Sequence, residues 1–525
     1  MTLSVGKVHG GPRTATPHPV SLSSAAVELS SNQVRVEMQI MLEDLVLYHS
    51  LSADGNMNYD PSALTEAAKK HRKFLVDYFS ILDVDGNKII GKLESDAFDQ
   101  IGDAAVPQAE LMKRSVSYLY SYPLEKKPQF LTFLQTFGGP KSALPSIMDL
   151  YITRNEIFEE SAQIAFNRPH TIKIDWQRNP EGKKQTLAEL RKLRKDQLKD
   201  RLGIGSYSGL YSFLYINRFE VRHEILIPVT TMEQFLPVPR TAPEFLEVEE
   251  QAACRPAIEQ FFKTHGKVTI DDQVIEPKVQ RVSFFSVDIA DFALNADPRK
   301  IGVHQGRVGV MISYPSKKVP KKVDVQWDTF SEYAPFIDMT LLIGNQAPDR
   351  TYFYPNQTNF QWTGELIGPS VQPVQVTGKL ADEKTRIEVT TNVLGNIYRA
   401  FDFRDDEQVY DSLATSVQGD LLRELYLRVK KSLIVAEQGG DLSYMTKIEV
   451  TESKLNPKLA DTFKTTWTVT SVSEHWGHIH TRTTQYQADL KLVEQAGQWK
   501  LAKFQLLDEQ RIRFETSIRG NDSNK

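Results

Sequence analysis

Cysteine is almost missing from this chain: Cys254 is the only one in 525 residues. That excludes an internal disulfide framework and any metal site built from several thiolates. Long apolar runs are missing as well, and no stretch approaches the roughly 18 residues a membrane-spanning helix needs. Neither sign of charge dominates, since 63 basic and 67 acidic residues leave a formal net charge of −4. Nucleic-acid and membrane-surface binding both require a basic face, and the composition does not point to one. The glycine-rich phosphate loops, the nucleophile elbow and the HExxH zinc motif do not occur in a usable context. What remains is ordinary globular material, 40% hydrophobic and 25% charged, long enough for three or four domains.

Met1 to Ser31 is rich in Gly, Pro, Ser and Thr and has no apolar core segment. Residues 1–27 are therefore expected to form a disordered leader. A mature chain after signal removal would begin in the same way. The expected location is periplasmic or extracellular, with the cytoplasm as the alternative.

The first two thirds of the chain repeats itself. Arg114-Ser-Val-Ser-Tyr-Leu-Tyr-Ser-Tyr-Pro123 returns as Arg307-Val-Gly-Val-Met-Ile-Ser-Tyr-Pro315, with a lysine pair and a Thr-Phe following each. Val36-Glu37-Met38-Gln39-Ile40 matches His223-Glu224-Ile225-Leu226-Ile227, and Ile174-Asp175-Trp176 matches Phe360-Gln361-Trp362. The order is unbroken and the spacing nearly constant, which chance similarity does not maintain. Short strands punctuated by Pro, Gly and Asn, with one helix per copy, predict an antiparallel β-sandwich-like domain at 28–178 and again at 210–366. Tyr122, Tyr314, Trp176 and Trp362 are expected in or against the cores. Asp83, Asp85 and Asn87 suggest calcium, but the glycine stands too early for an EF-hand, so a hairpin turn is expected. Between the copies, residues 179–209 are predicted to be a helical linker, with Leu187, Leu190, Leu198 and Leu202 at helical spacing. Residues 367–400 are expected to bridge into the last domain, with strand-like runs at Val371–Val376 and Arg386–Thr391.

Residues 401–515 read as a third domain, ahead of a disordered tail at 516–525. Asp405 or Asp406 caps a first helix. A second runs from about Asp420 to Gln438, and strands follow near Lys447–Glu452, Thr462–Val472, His478–Val493 and Gln498–Arg511. Two helices in the curl of a bent antiparallel sheet, ending in the hairpin with GQWKLAKFQLLDEQRI, resemble the cone fold of nuclear transport factor 2 and ketosteroid isomerase. The HWGHIHTR string resembles uncharacterised bacterial members of that group. The resemblance implies a pocket inside the cone and the option of oligomerisation through its sheet. The isomerase pattern also implies an inward acidic base, and these strands offer no inward Asp or Glu.

Alternation places His478, His480, Arg482, Thr484, Tyr486, Ala488, Leu490 and Leu492 on one face of a strand. That face ends apolar, so it is expected to be the concave one, opposite Trp467. Trp476 is expected to act as a packing lid. His478, His480, Arg482, Tyr486 and Trp467 are accordingly the candidate ligand-binding residues, suited to a small anion. His478 and His480, with His475 across the turn, are the candidate zinc ligands. The fold class expected is α+β, mostly antiparallel: tandem sandwiches followed by a cone domain. The function expected is non-enzymatic binding or scaffolding of a small anionic ligand or a protein partner, without resident cofactor. The alternative is an enzyme, isomerase- or hydrolase-type, using the His478/His480/Arg482/Tyr486 cluster for acid–base chemistry.

Overall fold

Strand Gln33–Met41 sets the pattern for the first half of the chain: Val34, Val36, Met38 and Ile40 are buried while Arg35, Glu37 and Gln39 face outward. A two-residue period with one apolar face forces such a strand to lie on a core. The computed structural model describes residues 21–139, 146–155, 157–177, 209–287, 297–344, 346–368, 370–439, 443–457, 459 and 461–518. The protein is mostly β, with several antiparallel sheets and fewer helices. It divides into two compact units, Met1–Lys184 and Gln185–Lys525.

The first unit holds β1 (Ser21–Leu29), β2 (Gln33–Met41), β3 (Phe79–Leu82), β4 (Lys88–Ile89), β5 (Lys92–Ala97), β6 (Ser115–Pro123), β7 (Phe130–Gln135), β8 (Ser146–Arg154), β9 (Ile157–Ala165) and β10 (His170–Lys173). They form a six-stranded sheet in the order β9-β8-β1-β2-β6-β5 and a four-stranded sheet in the order β10-β7-β3-β4. Helices α1 (Leu42–Tyr48) and α2 (Pro61–Tyr78) share one core with both sheets. Asp60 caps α2 by accepting from the Ser62 N–H, and Pro61 occupies the first turn, where no donor is lost. Asp83 accepts from the backbone of Asp85 and Asn87 at 2.9 Å, closing the β3–β4 hairpin.

The second unit begins with β11 (Tyr211–Asn217), β12 (Glu220–Pro228), β13 (Gly266–Ile270), β14 (Gln273–Ile275), β15 (Lys278–Phe285), β16 (Arg307–Pro315), β17 (Lys322–Trp327), β18 (Ile337–Ile343), β19 (Asp349–Phe353) and β20 (Asn359–Thr363). The sheet orders are β19-β18-β11-β12-β16-β15 and β20-β17-β13-β14, the orders of the first unit strand for strand. In each large sheet, among the described residues, a single neighbouring pair is parallel, β1 with β8 and β11 with β18. Helices α3 (Val229–Met232) and α4 (Val248–Thr264) stand where α1 and α2 do in the chain order.

The C-terminal part contributes α5 (Glu383–Arg399), α6 (Asp406–Ala414), α7 (Asp420–Gly439) and a meander of four long strands, β21 (Ser443–Leu455), β22 (Thr462–His475), β23 (His478–Gln495) and β24 (Gln498–Ile518). Val389, Val393, Leu413 and Val429 from the helices meet Trp467, Ala488, Leu490 and Leu501 from the sheet. The β23–β24 ladder shifts register three times, each time with the extra residue on β24. Strand β23 therefore keeps an unbroken alternation while its neighbour bulges.

Four expectations need correction. The leader of residues 1–27 overlaps β1, which begins at Ser21; its small Ser and Ala residues hide the alternation of Ala25, Val27 and Leu29 inward. The run Arg386–Thr391 is helical, because Asp382 caps α5 and buried Arg386, Val389, Thr390, Val393 and Ile397 recur at helical spacing. The C-terminal part thus carries three helices and begins before 401. The tail expected at 516–525 overlaps β24, which runs to Ile518. The linker helix expected within 179–209 falls outside the described residues, apart from its last residue. No helix among the described residues is long and apolar enough to cross a membrane.

Candidate functional site

The histidine-rich segment forms the tip of the β22–β23 hairpin. His475 pairs with His478, leaving Trp476 (φ +50°) and Gly477 (φ +79°) as the two turn residues. Two successive left-handed residues make a type I′ turn, whose twist matches that of the strands. Tryptophan in that region of φ is strained, at a cost of about 1–3 kcal/mol, unless packing holds it.

The packing partner is the outer face of the second unit's large sheet. Trp476 is 0% exposed and lies among Phe213, Tyr215, Leu226, Phe285, Met311 and Leu342. Its ring meets Phe285 edge-on, 6.1 Å between centroids. A Cβ on Gly309 would come within 2.9 Å of the indole, and one on Gly477 within 2.5 Å of Phe213. Both glycines are therefore required by close approach.

Polar groups fix the tip as firmly as the ring does. The Trp476 N–H donates to the Glu224 carboxylate, and the Gly477 N–H donates to the Tyr215 hydroxyl at 2.9 Å. Arg222 donates to the Glu474 carbonyl and stands 2.8 Å from Glu224 in an ion pair. The Glu474 carboxylate in turn accepts from the Tyr444 hydroxyl at 2.9 Å. Burial opposes the Arg222 charge, and the carboxylates of Glu224, Glu220 and Glu474 more than offset it, holding the guanidinium protonated. Burial raises the Tyr215 hydroxyl well above its usual range, so it remains an O–H. A buried ion pair is stable only when its remaining donors and acceptors are matched, and here the hairpin backbone supplies part of the match.

The candidate residues are distributed as follows. His475 and His480 come together, with 2.8 Å between their Nε2 atoms, and His480 stacks on Phe514. His478 occupies its strand position opposite His475, but its side chain lies outside the described residues. Arg482 shares the face of His480 in the alternation of β23, yet its side chain is 49% exposed, 3.7 Å from Glu509. Tyr486 stacks on Trp467 at 5.5 Å, and Trp467 is buried with its indole N–H 3.4 Å from the Tyr398 hydroxyl of α5. Trp467, Tyr486 and Tyr398 thus form one cluster of rings between the sheet and α5. Trp476, expected as a lid, points into the neighbouring sheet instead. Among the described residues, no group of three His, Cys, Asp or Glu side chains could hold a metal ion.

Sequence reasoning missed Tyr215, Arg222 and Glu224. The signal was present in the burial pattern of their strands. Strand β2 alternates inward and outward, whereas every residue of β12 is buried; its sequence carries Glu220, Arg222, His223 and Glu224, and only β16 reads as a near-continuous apolar run. Such runs mark a strand covered on both faces. The chain matches no protein family, and no curated protein is significantly similar to it.

Proposed function

We propose that this chain is a non-enzymatic binding or scaffold protein, made of two copies of one sandwich-like domain and a C-terminal domain of the cone type. The reading rests on one observation: the segment richest in chemical side chains is the joint that locks the C-terminal domain onto the second copy. Trp476, Gly477 and Glu474 are consumed by Phe213, Tyr215, Arg222 and Glu224. Two features support it further. The strand orders of the two large sheets and of the two small sheets coincide, and the candidate residues Trp467 and Tyr486 are engaged with each other and with Tyr398 of α5. A rigid joint positions surfaces relative to one another, which is the work of a scaffold.

Native-state hydrogen exchange tests the joint. The amides of Trp476 and Gly477 are expected to exchange as slowly as those of β12, because both donate to side chains buried in that sheet, Glu224 and Tyr215. Exchange at the rate of an exposed hairpin turn would refute the joint.

A further inference from the structure

In the first unit, the end of α1 meets α2 through two imidazoles. His49, the residue that terminates α1, places Nε2 3.1 Å from Nδ1 of His71 on α2. The rings meet edge-on, with centroids 5.2 Å apart. His71 is 2% exposed and stacks on Phe74 at 4.7 Å, with Tyr118 and Tyr48 at 6.1 and 6.3 Å. Among the described residues, His49 is the only hydrogen-bonding partner of the His71 ring.

Packing does not ask for histidine at either position. The second unit repeats the strand orders, with two helices at the same place in the chain order. Counted from the ends of β2 and β12, His49 corresponds to Leu236. The buried positions Leu64, Ala67, His71 and Leu75 of α2 have the spacing of Gln251, Cys254, Ile258 and Phe262 in α4, which matches His71 with Ile258. Leu236 and Ile258 are both buried in one apolar core. The fold therefore forms without a titratable pair at these positions.

The surroundings oppose charge on the pair. Burial, and then the neighbouring His49, lowers His71 to about 3, while burial and Lys70 lower His49. Asp44 of α1 accepts from Ser23 at 2.6 Å, and Asp96 of β5 pairs with Arg72 of α2 at 2.5 Å. Burial raises the Glu43 carboxyl of α1 and the hydroxyls of Tyr48 and Tyr118. No carboxylate among the described residues offsets the burial of either ring. The bond between the rings needs a lone pair on one of them. One proton can be shared, whereas two set N–H against N–H inside a cluster of rings.

We propose that the His49–His71 pair is an acid-sensitive latch, holding the end of α1 on α2 at neutral pH and releasing it as the solution turns acidic. Once the helix end opens, both imidazoles titrate near their ordinary value of about 6.5. The closed form binds fewer protons, so it loses stability as pH falls through that value, and the loss continues toward about 3. For one histidine the opening constant should rise roughly 25-fold between pH 7 and pH 5.

Hydrogen exchange on the full chain at both pH values, corrected for the intrinsic rate, tests the latch. The amides at position 49 and at Leu51 bond back to Leu45 and Val46, and their protection should fall by about tenfold or more at pH 5. The double variant His49→Leu, His71→Ile, which installs the residues of the second unit, should keep its protection. If it does not fold, His71→Gln, which takes no proton, should flatten the same pH dependence. Unchanged protection in the wild type, or an equal loss in the variants, would overturn the proposal.

Discussion

Trp476→Ala is the sharpest test of how this molecule is held together. The side chain is fully buried in a pocket whose walls belong to β11, β12, β15, β16 and β18. A tryptophan buries roughly 150–250 Å², and at about 25 cal/mol per Å² that corresponds to about 4–6 kcal/mol. Core Phe and Trp truncations cost about 3–5 kcal/mol in practice, because the surroundings relax in part. The backbone donation to Glu224 and the left-handed turn survive in the variant, so nearly all the loss is ring packing. Alanine relieves no strain at φ +50° either. The expected loss is therefore about 3–5 kcal/mol, and it falls on the connection between two cores rather than within one. Calorimetry on the full chain, with transitions assigned by hydrogen exchange, should show the β11–β20 part and the C-terminal part unfolding together in the wild type and separately in the variant. A loss below about 1 kcal/mol with coincident transitions retained would refute the joint.

Two further substitutions separate buried from exposed charge. Arg222→Met strands the Glu224 carboxylate and should cost about 3–5 kcal/mol by urea denaturation, whereas Arg482→Met breaks only a half-exposed pair and should cost under about 1 kcal/mol; equal costs would contradict the placement of both. Asp402 gives a pH signature with a definite sign. Its carboxyl titrates at about 6 in the folded protein and at about 3.9 when unfolded, so the folded state holds the proton more tightly and loses stability as pH rises between those values. Asp402→Asn should be more stable than wild type by about 1–3 kcal/mol near neutral pH, with the gap closing near pH 4. A variant less stable than wild type at neutral pH would reverse the sign.

Much of the fold was legible because two signals repeat. The tandem strings predicted two stretches of like strand order, and the sheet orders of the two stretches coincide; the hairpin of β23 and β24 was legible from alternation on both sides of Glu494–Gly497. Helix α5 was not legible as a helix, since Val389, Thr390, Thr391 and Val393 are β-branched and favour strands locally; the Asp382 cap and burial on one side decide it. Strand β1 was hidden by Ser and Ala, whose weak hydrophobicity gives alternation little contrast. The site was half legible. His480 and Tyr486 do lie on the face of β23 that ends in Ala488 and Leu490, but the destination of Trp476 depends on a sheet more than 200 residues earlier in the sequence. No local pattern carries a contact of that separation.

The two large sheets explain why the hairpin tip has one address. Arg35 and Glu37 of β2 hold the positions that Arg222 and Glu224 hold in β12. In the first sheet that pair is solvated, with Arg35 46% exposed and bonded to Glu94. Opposite Glu37 stand Ala26 and Leu119, and opposite Gln39 stands Ser117. Opposite Glu224 stand Phe213 and Met311, and opposite Leu226 stands Gly309. Opposite the arginines, Glu28 in the first sheet is replaced by Tyr215 in the second. A tryptophan laid on the first sheet would bury Gln39 without returning its hydrogen bonds, and would strike a side chain at Ser117. On the second it gains Phe213 and Met311, a hydroxyl from Tyr215, and the space left by Gly309. Burying an unmatched polar group costs about 1–3 kcal/mol, so the discrimination comes as much from what the first face penalises as from what the second offers. The charged pair common to both sheets does not choose between them; its neighbours do.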